Sequence, residues 1–174
     1  IFAKRLSLPL NLQGIQMNTF SVKELLSPDH LHQEVIVNGW VKTYRSNRFI
    51  ALNDGSTINN IQCVVDFEEF DENLLKQINT GAALKISGTL VESQGKGQSV
   101  EIQVKEIKVH GGADPEVYPI QPKKHSLEFL REKAHLRVRT NTFAAIMRVR
   151  SALSFAVHQY FQKNGFFYVH TPII

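Results

Sequence analysis

Residues 34–53 read EVIVNGWVKTYRSNRFIALN, and this stretch contains two strand signals separated by a short polar turn. Glu34–Thr43 is rich in β-branched residues, and Arg48–Asn53 carries a second apolar run. β-branched and aromatic residues favour strands, and a short polar break between two such runs favours a hairpin. The stretch therefore predicts the first hairpin of a β-rich domain.

Three further strands are predicted downstream of this hairpin. The Asn-Asp-Gly turn signal at 53–55 leads to an apolar run at 61–66. Two longer strands are predicted at 83–91 and 99–110, joined by a Gly-rich turn. In the second of these, polar and apolar residues alternate almost without interruption, which is typical of a half-buried strand.

One helix is predicted between the third and fourth strands, over 67–79. Its first residues are acidic, as the helix dipole favours, and apolar residues follow at helical spacing up to Gly81, a residue typical of helix ends. The S-x-x-E pattern from Ser21 to Glu24 is a capping box and predicts a short helix before the first strand. Three strands, a helix and two strands is the order of the OB-fold, a barrel that binds oligonucleotides on one face. Other small barrels share most of this order.

The composition excludes several classes of protein. The longest apolar runs fall far short of the roughly 20 residues of a membrane span. Cys63 is the only cysteine, which excludes an internal disulfide and suits a reducing cytoplasm, and no two histidines have metal-ligand spacing. The net charge of +4 is uneven: residues 1–110 carry 11 basic and 12 acidic residues, whereas 111–174 carry 9 and 4. The excess of positive charge therefore lies in residues 111–174.

The chain divides into four segments by composition. Residues 1–17 contain no acidic residue and are interpreted as an extension outside the fold, expected to be disordered; the alternative is the end of a basic targeting segment. The barrel is expected over 18–110, and a Gly- and Pro-rich hinge over 111–125. In 126–174 a short helix and a long amphipathic helix precede Gly165, a C-cap, and then an apolar strand.

The last residues carry a more specific pattern. Residues 165–174, GFFYVHTPII, fit Gly-Φ-x-x-Φ-x-x-Pro-Φ-Φ, where Φ is apolar. This resembles motif 1 of the class II aminoacyl-tRNA synthetases, a long helix and strand that form their dimer interface. A barrel and a Pro-rich hinge precede that motif in the subgroup for aspartate, asparagine and lysine. The stretches KHSLEFLRE at 124–132 and HLRVRTN at 135–141 are similar to asparaginyl-tRNA synthetases.

The resemblance implies a mainly β fold: a five-stranded OB-fold barrel with one helix, followed by the truncated helical start of an α+β catalytic domain. It implies an anticodon-binding domain over 18–110 and motif 1 at the end of 126–174. The implied parent is an asparagine–tRNA ligase, cytoplasmic and not membrane-bound, that uses ATP and Mg²⁺; this fragment is expected to bind neither and to hold no catalytic residue. The implied partners are tRNA and a second copy, contacted through Gly165, Phe166, Pro172 and Ile173.

The resemblance also assigns roles to residues of the first three strands. Arg45, Phe49 and Gln62 are implied to hold the central uridine of the anticodon, because cations, aromatic rings and amides suit phosphates, unpaired bases and base edges. Lys42 and Arg48 are candidates for phosphate contact. The alternatives are that Phe49 belongs to the core and that both cations are ordinary surface charges. Two other functions stay open: a stand-alone OB-fold module for single-stranded nucleic acid, and an aspartyl-type paralogue.

Overall fold

The structure is a computed structural model that describes residues 19–95, 97–170 and 172. The extension predicted at 1–17 lies outside the described residues, as does Ile173. The described strands are Thr19–Phe20 (β1), Glu34–Arg45 (β2), Phe49–Asn53 (β3), Ile61–Val64 (β4), Ala83–Glu92 (β5) and Val100–Gly111 (β6).

The five long strands close into a barrel with OB-fold topology. Their order is β2-β3-β4-β6-β5, and β5 returns to pair with β2, which closes the sheet. β4 and β6 run parallel, and the other pairings between the long strands are antiparallel. The predicted barrel is therefore confirmed. The short strand β1 pairs in parallel with β2 and was not predicted, because two residues are too few to show a periodic pattern.

The barrel surrounds one core built from alternate positions of each strand. On β2 the inward residues include Val35, Val37 and Val41, which are almost completely buried. The same alternation on the other strands buries Ile50, Leu52, Ile61, Cys63, Leu84, Ile86, Leu90 and Ile102. A strand with one face on this core must present its intervening residues outward, and those residues are available for binding.

The helices are Val22–Leu25 (α1), Glu72–Leu75 (α2), Leu127–Glu132 (α3) and Asn141–Lys163 (α4). The capping box predicted for α1 is present, with the side chains and backbone N–H groups of Ser21 and Glu24 bonded reciprocally. The two helices predicted in 126–174 also form. After α4, Gly165 has φ +82°, and the N–H groups of Gly165 and Phe166 donate to Gln162 and Phe161, as in a Schellman cap.

One local prediction was wrong, and a second is not tested by this chain alone. The helix expected over 67–79 is instead a 3₁₀ turn, Phe67–Glu69, and the single turn α2, with Phe70 extended between them. The break occurs because the Asp71 carboxylate accepts the N–H groups of Asn73 and Leu74 and starts a new turn. Residues 166–170, where a strand is expected, have no regular structure within the described part of the chain. The resemblance gives that strand its partner in a second subunit, so the strand stays a prediction.

The segment after the barrel packs back against it through three polar contacts. The guanidinium of Arg139 lies 4.1 Å from the ring centroid of Trp40. The amine of Lys42 donates a hydrogen bond to the backbone carbonyl of Arg139. The guanidinium of Arg148, on α4, donates to the carbonyl of Gly55 in the turn after β3. These contacts join the start of α4 to one end of the barrel.

Candidate nucleic-acid interface

Three of the predicted site residues come together on the outer surface of β2, β3 and β4. Arg45 is the cross-strand partner of Phe49, and Phe49 is the partner of Val64. Ala51, two residues along β3 from Phe49, is the partner of Gln62. Residues directly opposite each other share a face of the sheet, and so do residues two apart on one strand. Arg45, Phe49 and Gln62 therefore share one surface, called here the β2–β4 face.

The short turn between β2 and β3 positions the aromatic and cationic groups. Ser46 and Asn47 have φ values of 54° and 50°, and the N–H of Arg48 donates to the carbonyl of Arg45 at 3.1 Å. Because the turn is tight, Arg45 pairs directly with Phe49. The ring of Phe49 is half-buried and lies 5.9 Å from the guanidinium of Arg48. A partly exposed ring beside a cation can stack on an unpaired base.

The amide of Gln62 is oriented by a neighbouring carboxylate. Its Nε2 donates to Oε2 of Glu101 at 3.2 Å, and the same oxygen accepts from Ser93 Oγ at 2.8 Å and Gln98 Nε2 at 3.3 Å. One N–H of Gln62 is thereby engaged, which leaves its carbonyl oxygen and second N–H for a ligand. Sequence reasoning missed Glu101, because the parallel pairing of β4 with β6 joins residues 39 positions apart.

A groove of about 500 Å³ opens beside these residues. Its lining is mostly polar, and it includes side chains from the turn before β4 and the turn before β6. The polar lining residues are Arg45, Asn59, Asn60, Gln62, Gln98 and Ser99. Amide groups both donate and accept hydrogen bonds, so this lining can bond to the edges of a nucleobase.

Lys42 and Arg48 do not line this groove. Register on β2 shifts between Val41 and Thr43, so Lys42 sits at a β-bulge without a cross-strand partner. Its amine turns toward Arg139, and burial, followed by the charge of Arg139, lowers the pKa of Lys42. The structure thus places Lys42 at the junction with the C-terminal segment. Arg48 stays exposed at the turn, beside Phe49.

Three of the predicted dimer residues, Gly165, Phe166 and Pro172, are described, and they follow α4. Phe166 is 61% exposed, and its ring contacts that of Phe161 at 5.4 Å between centroids. The apolar stripe of α4 is also exposed, with Leu153 and Tyr160 both more than half accessible. Pro172 is exposed as well. Phe167, Tyr168 and Val169 are more exposed still, so several apolar side chains at and after the end of α4 are uncovered.

Two other kinds of site are not found in the described residues. No group of three or more His, Cys, Asp or Glu residues there is arranged to hold a metal ion. Among the same residues, no helix combines the length and apolar character needed to cross a membrane.

Three comparisons with known proteins agree with this fold. A family model described as "OB-fold nucleic acid binding domain" matches residues 35–109. The asparagine–tRNA ligase of Cytophaga hutchinsonii is 55% identical over 91% of this chain, which covers 35% of that protein. The corresponding enzyme of Parabacteroides distasonis is 54% identical over 88% of this chain and 33% of its own length. The chain spans about a third of the length of these relatives.

Solved structures show the same fold at lower identity. Asparaginyl-tRNA synthetase from Pyrococcus horikoshii, complexed with asparaginyl-adenylate, superposes with a TM-score of 0.77 and 23% identity over 91% of this chain and 37% of that one. The Entamoeba histolytica enzyme in complex with asparaginyl-adenylate gives 0.74 and 22% over 90% of this chain and 38% of that one.

The barrel defines an OB-fold protein, and the part of it over residues 35–109 matches a family of nucleic-acid-binding domains. The relatives define it further: the chain is a homologue of asparagine–tRNA ligases and corresponds to their N-terminal portion. The resemblance drawn from the sequence is thereby confirmed.

Proposed function

We propose that this chain is the tRNA anticodon-binding portion of an enzyme that attaches asparagine to its tRNA, using ATP and passing through an asparaginyl-adenylate. In this proposal residues 18–110 bind the anticodon, 111–125 form a hinge, and 126–174 begin the catalytic domain. Support comes from the relatives, which are asparagine–tRNA ligases, and from the match to an OB-fold nucleic-acid-binding family.

The observation that carries the proposal is the shared β2–β4 face. Phe49 stacks on the central base of the anticodon, because its ring is half-exposed and lies on the open side of the sheet. Gln62 reads the base: its free carbonyl oxygen accepts from the N3–H of a uridine, and its free N–H donates to a uridine carbonyl. Arg45 holds a neighbouring phosphate or the base edge from the opposite strand.

The parent enzyme is proposed to work as a cytoplasmic homodimer that binds ATP with Mg²⁺ in the remaining two thirds of its length. The exposed stripe of α4 and the residues Gly165, Phe166, Pro172 and Ile173 supply the subunit contact. Exposing an apolar surface of this kind to water is unfavourable for a free monomer. A two-fold interface would cover it, because the same patch on each subunit contacts its own copy.

Binding of an anticodon stem-loop by the chain tests the proposal. We expect micromolar or tighter binding of a stem-loop with a central uridine and weaker binding when cytidine replaces that base, because cytidine reverses the donor and acceptor that face Gln62. A stem-loop of the same length with an unrelated loop sequence is the control. Equal affinity for all three would refute anticodon recognition by this face and would favour an unspecific single-strand binder.

A further inference from the structure

A second groove lies between the barrel and the C-terminal segment. It has a volume of about 530 Å³ and is called here the junction groove. Four cationic side chains, Lys42, Lys123, Lys124 and Arg139, line it. The described residues that line it include no Asp or Glu. The positive charge that the sequence concentrates in 111–174 is therefore partly gathered at one place in the fold.

None of these cations is neutralised by a carboxylate within the described residues. The ion pairs found there are Lys76–Glu72, Lys105–Glu34 and Arg131–Glu128, and none reaches the junction groove. Lys123 and Lys124 are exposed, and their amines make no hydrogen bond to any described residue. A cleft lined by charges of one sign raises the local concentration of oppositely charged ligands.

The backbone that carries the two exposed lysines is fixed. The carbonyl of Gln121 accepts the N–H of Lys123 at 2.7 Å and Nε2 of His125 at 3.0 Å. The side-chain amide of Gln121 donates to the carbonyl of Tyr118 at 2.9 Å. The His125 ring stacks on Phe129 with 5.0 Å between centroids. Lys123 and Lys124 are thus presented from an ordered turn, so little backbone entropy is lost when they bind a ligand.

The junction groove adjoins the groove beside Gln62. Asn60, in the turn before β4, lines both of them. Thr43, which pairs with Ala51 on the β2–β4 face, also lines the junction groove. A polynucleotide whose base occupies the β2–β4 face can therefore extend directly past Asn60 and into the cationic groove.

We propose that the junction groove binds the phosphates of the single-stranded nucleotides next to the base held on the β2–β4 face, with Lys123 and Lys124 as the main phosphate contacts. This inference rests on the proposed RNA-binding function and adds a second subsite to it. The chemistry is that of an ammonium group on a phosphodiester, which supplies affinity without reading sequence.

The test compares two double variants in binding a single-stranded RNA that has the sequence of the anticodon loop. Lys123→Ala with Lys124→Ala removes two phosphate contacts, each worth about 0.7 in the slope of log affinity against log salt, so the slope should fall by about 1.4. The preference for uridine over cytidine should not change, because neither lysine contacts a base. Lys85→Ala with Lys108→Ala is the matched control, since these lysines are direct cross-strand partners on β5 and β6 and neither lines the groove.

Each outcome is decisive once thermal melting shows that both variants are folded. A lowered slope for the first variant and an unchanged slope for the control supports the junction subsite. If the first variant keeps the wild-type slope while Arg45→Ala lowers it, the subsite is overturned and binding on the β2–β4 face stands. Equal losses in both double variants indicate general charge attraction and also overturn the subsite. Failure of the wild-type chain to bind the RNA overturns both proposals.

Discussion

Replacing Phe49 by alanine should separate stacking from packing, because the ring is half-buried and lies outside the fully buried core. Loss of one stacked base costs about 1–3 kcal/mol of binding free energy. That range corresponds to an affinity about 5- to 150-fold weaker. We expect this loss at every salt concentration, since no charge changes.

The same substitution should affect folding only moderately. Fully burying a Phe side chain contributes about 1.5–3 kcal/mol, and a ring that stays partly exposed contributes somewhat less. Its cross-strand neighbours, Arg45 and Val64, add a few tenths of a kcal/mol to about 1 kcal/mol. We therefore expect a loss of about 1–3 kcal/mol in the free energy of unfolding. A fully buried Phe would lose about 3–5 kcal/mol.

The assay pairs urea denaturation with titration of the anticodon stem-loop, and two further variants at position 49 serve as controls. Phe49→Leu keeps most of the apolar volume but has no π face, so it should restore stability without restoring affinity. Phe49→Tyr keeps the ring and should restore both. If Phe49→Leu binds as tightly as the wild type, or if Phe49→Ala loses about 4 kcal/mol of stability with unchanged base preference, the stacking argument is refuted.

Gln62→Ala should weaken binding less than Phe49→Ala but abolish most of the preference for uridine, measured by competition between stem-loops; an unchanged preference would remove Gln62 from base recognition. Gly88→Ala should lower the free energy of unfolding by about 3 kcal/mol or more, because an added Cβ would lie 2.0 Å from the carbonyl oxygen of Gln103; a normal denaturation curve would contradict the close strand approach. Burial raises the pKa of the Cys63 thiol, so alkylation should require unfolding, and rapid labelling of the native chain would contradict the core position. Because the pKa of Cys63 is raised in the folded state, the folded chain keeps a proton that the unfolded chain releases. The contribution of Cys63 to the free energy of unfolding is therefore present below the usual thiol pKa of 9.0 and is lost as the pH rises above it. Urea titrations at increasing pH would measure this loss.

The strands were predictable because each has one face on a single core. The alternation from Glu101 to Val109 is present in β6, where Ile102, Val104 and Ile107 are buried, with one interruption at Lys105 and Glu106, where the pairing with β5 shifts register. The shared position of Arg45 and Phe49 also follows from local sequence, since a tight turn leaves few ways to pair the two strands. The local sequence pattern is sufficient to predict a strand wherever buried and exposed residues alternate regularly.

The remaining features depend on contacts that local pattern does not contain. Lys42 faces the junction because a β-bulge interrupts the alternation of β2, and the sequence shows no sign of that bulge. Glu101 meets Gln62 only because β4 and β6 pair across a long separation. The helix expected over 67–79 was divided by Asp71, whose side-chain cap competes with continued helix. The junction groove could not be predicted from the sequence, because its lining comes from both the barrel and the C-terminal segment, and their relative placement must be known.

The contact between Arg139 and Trp40 has a practical consequence for spectroscopy. Trp40 is the only tryptophan in the chain, it is 38% exposed, and a guanidinium lies over its ring. Indole emission responds to nearby charge and to water, so the tryptophan fluorescence, which comes from Trp40 alone, reports whether the segment before α4 is seated on the barrel. RNA entering the adjacent groove, or heat releasing that segment, will be visible as a change in emission wavelength without any added label.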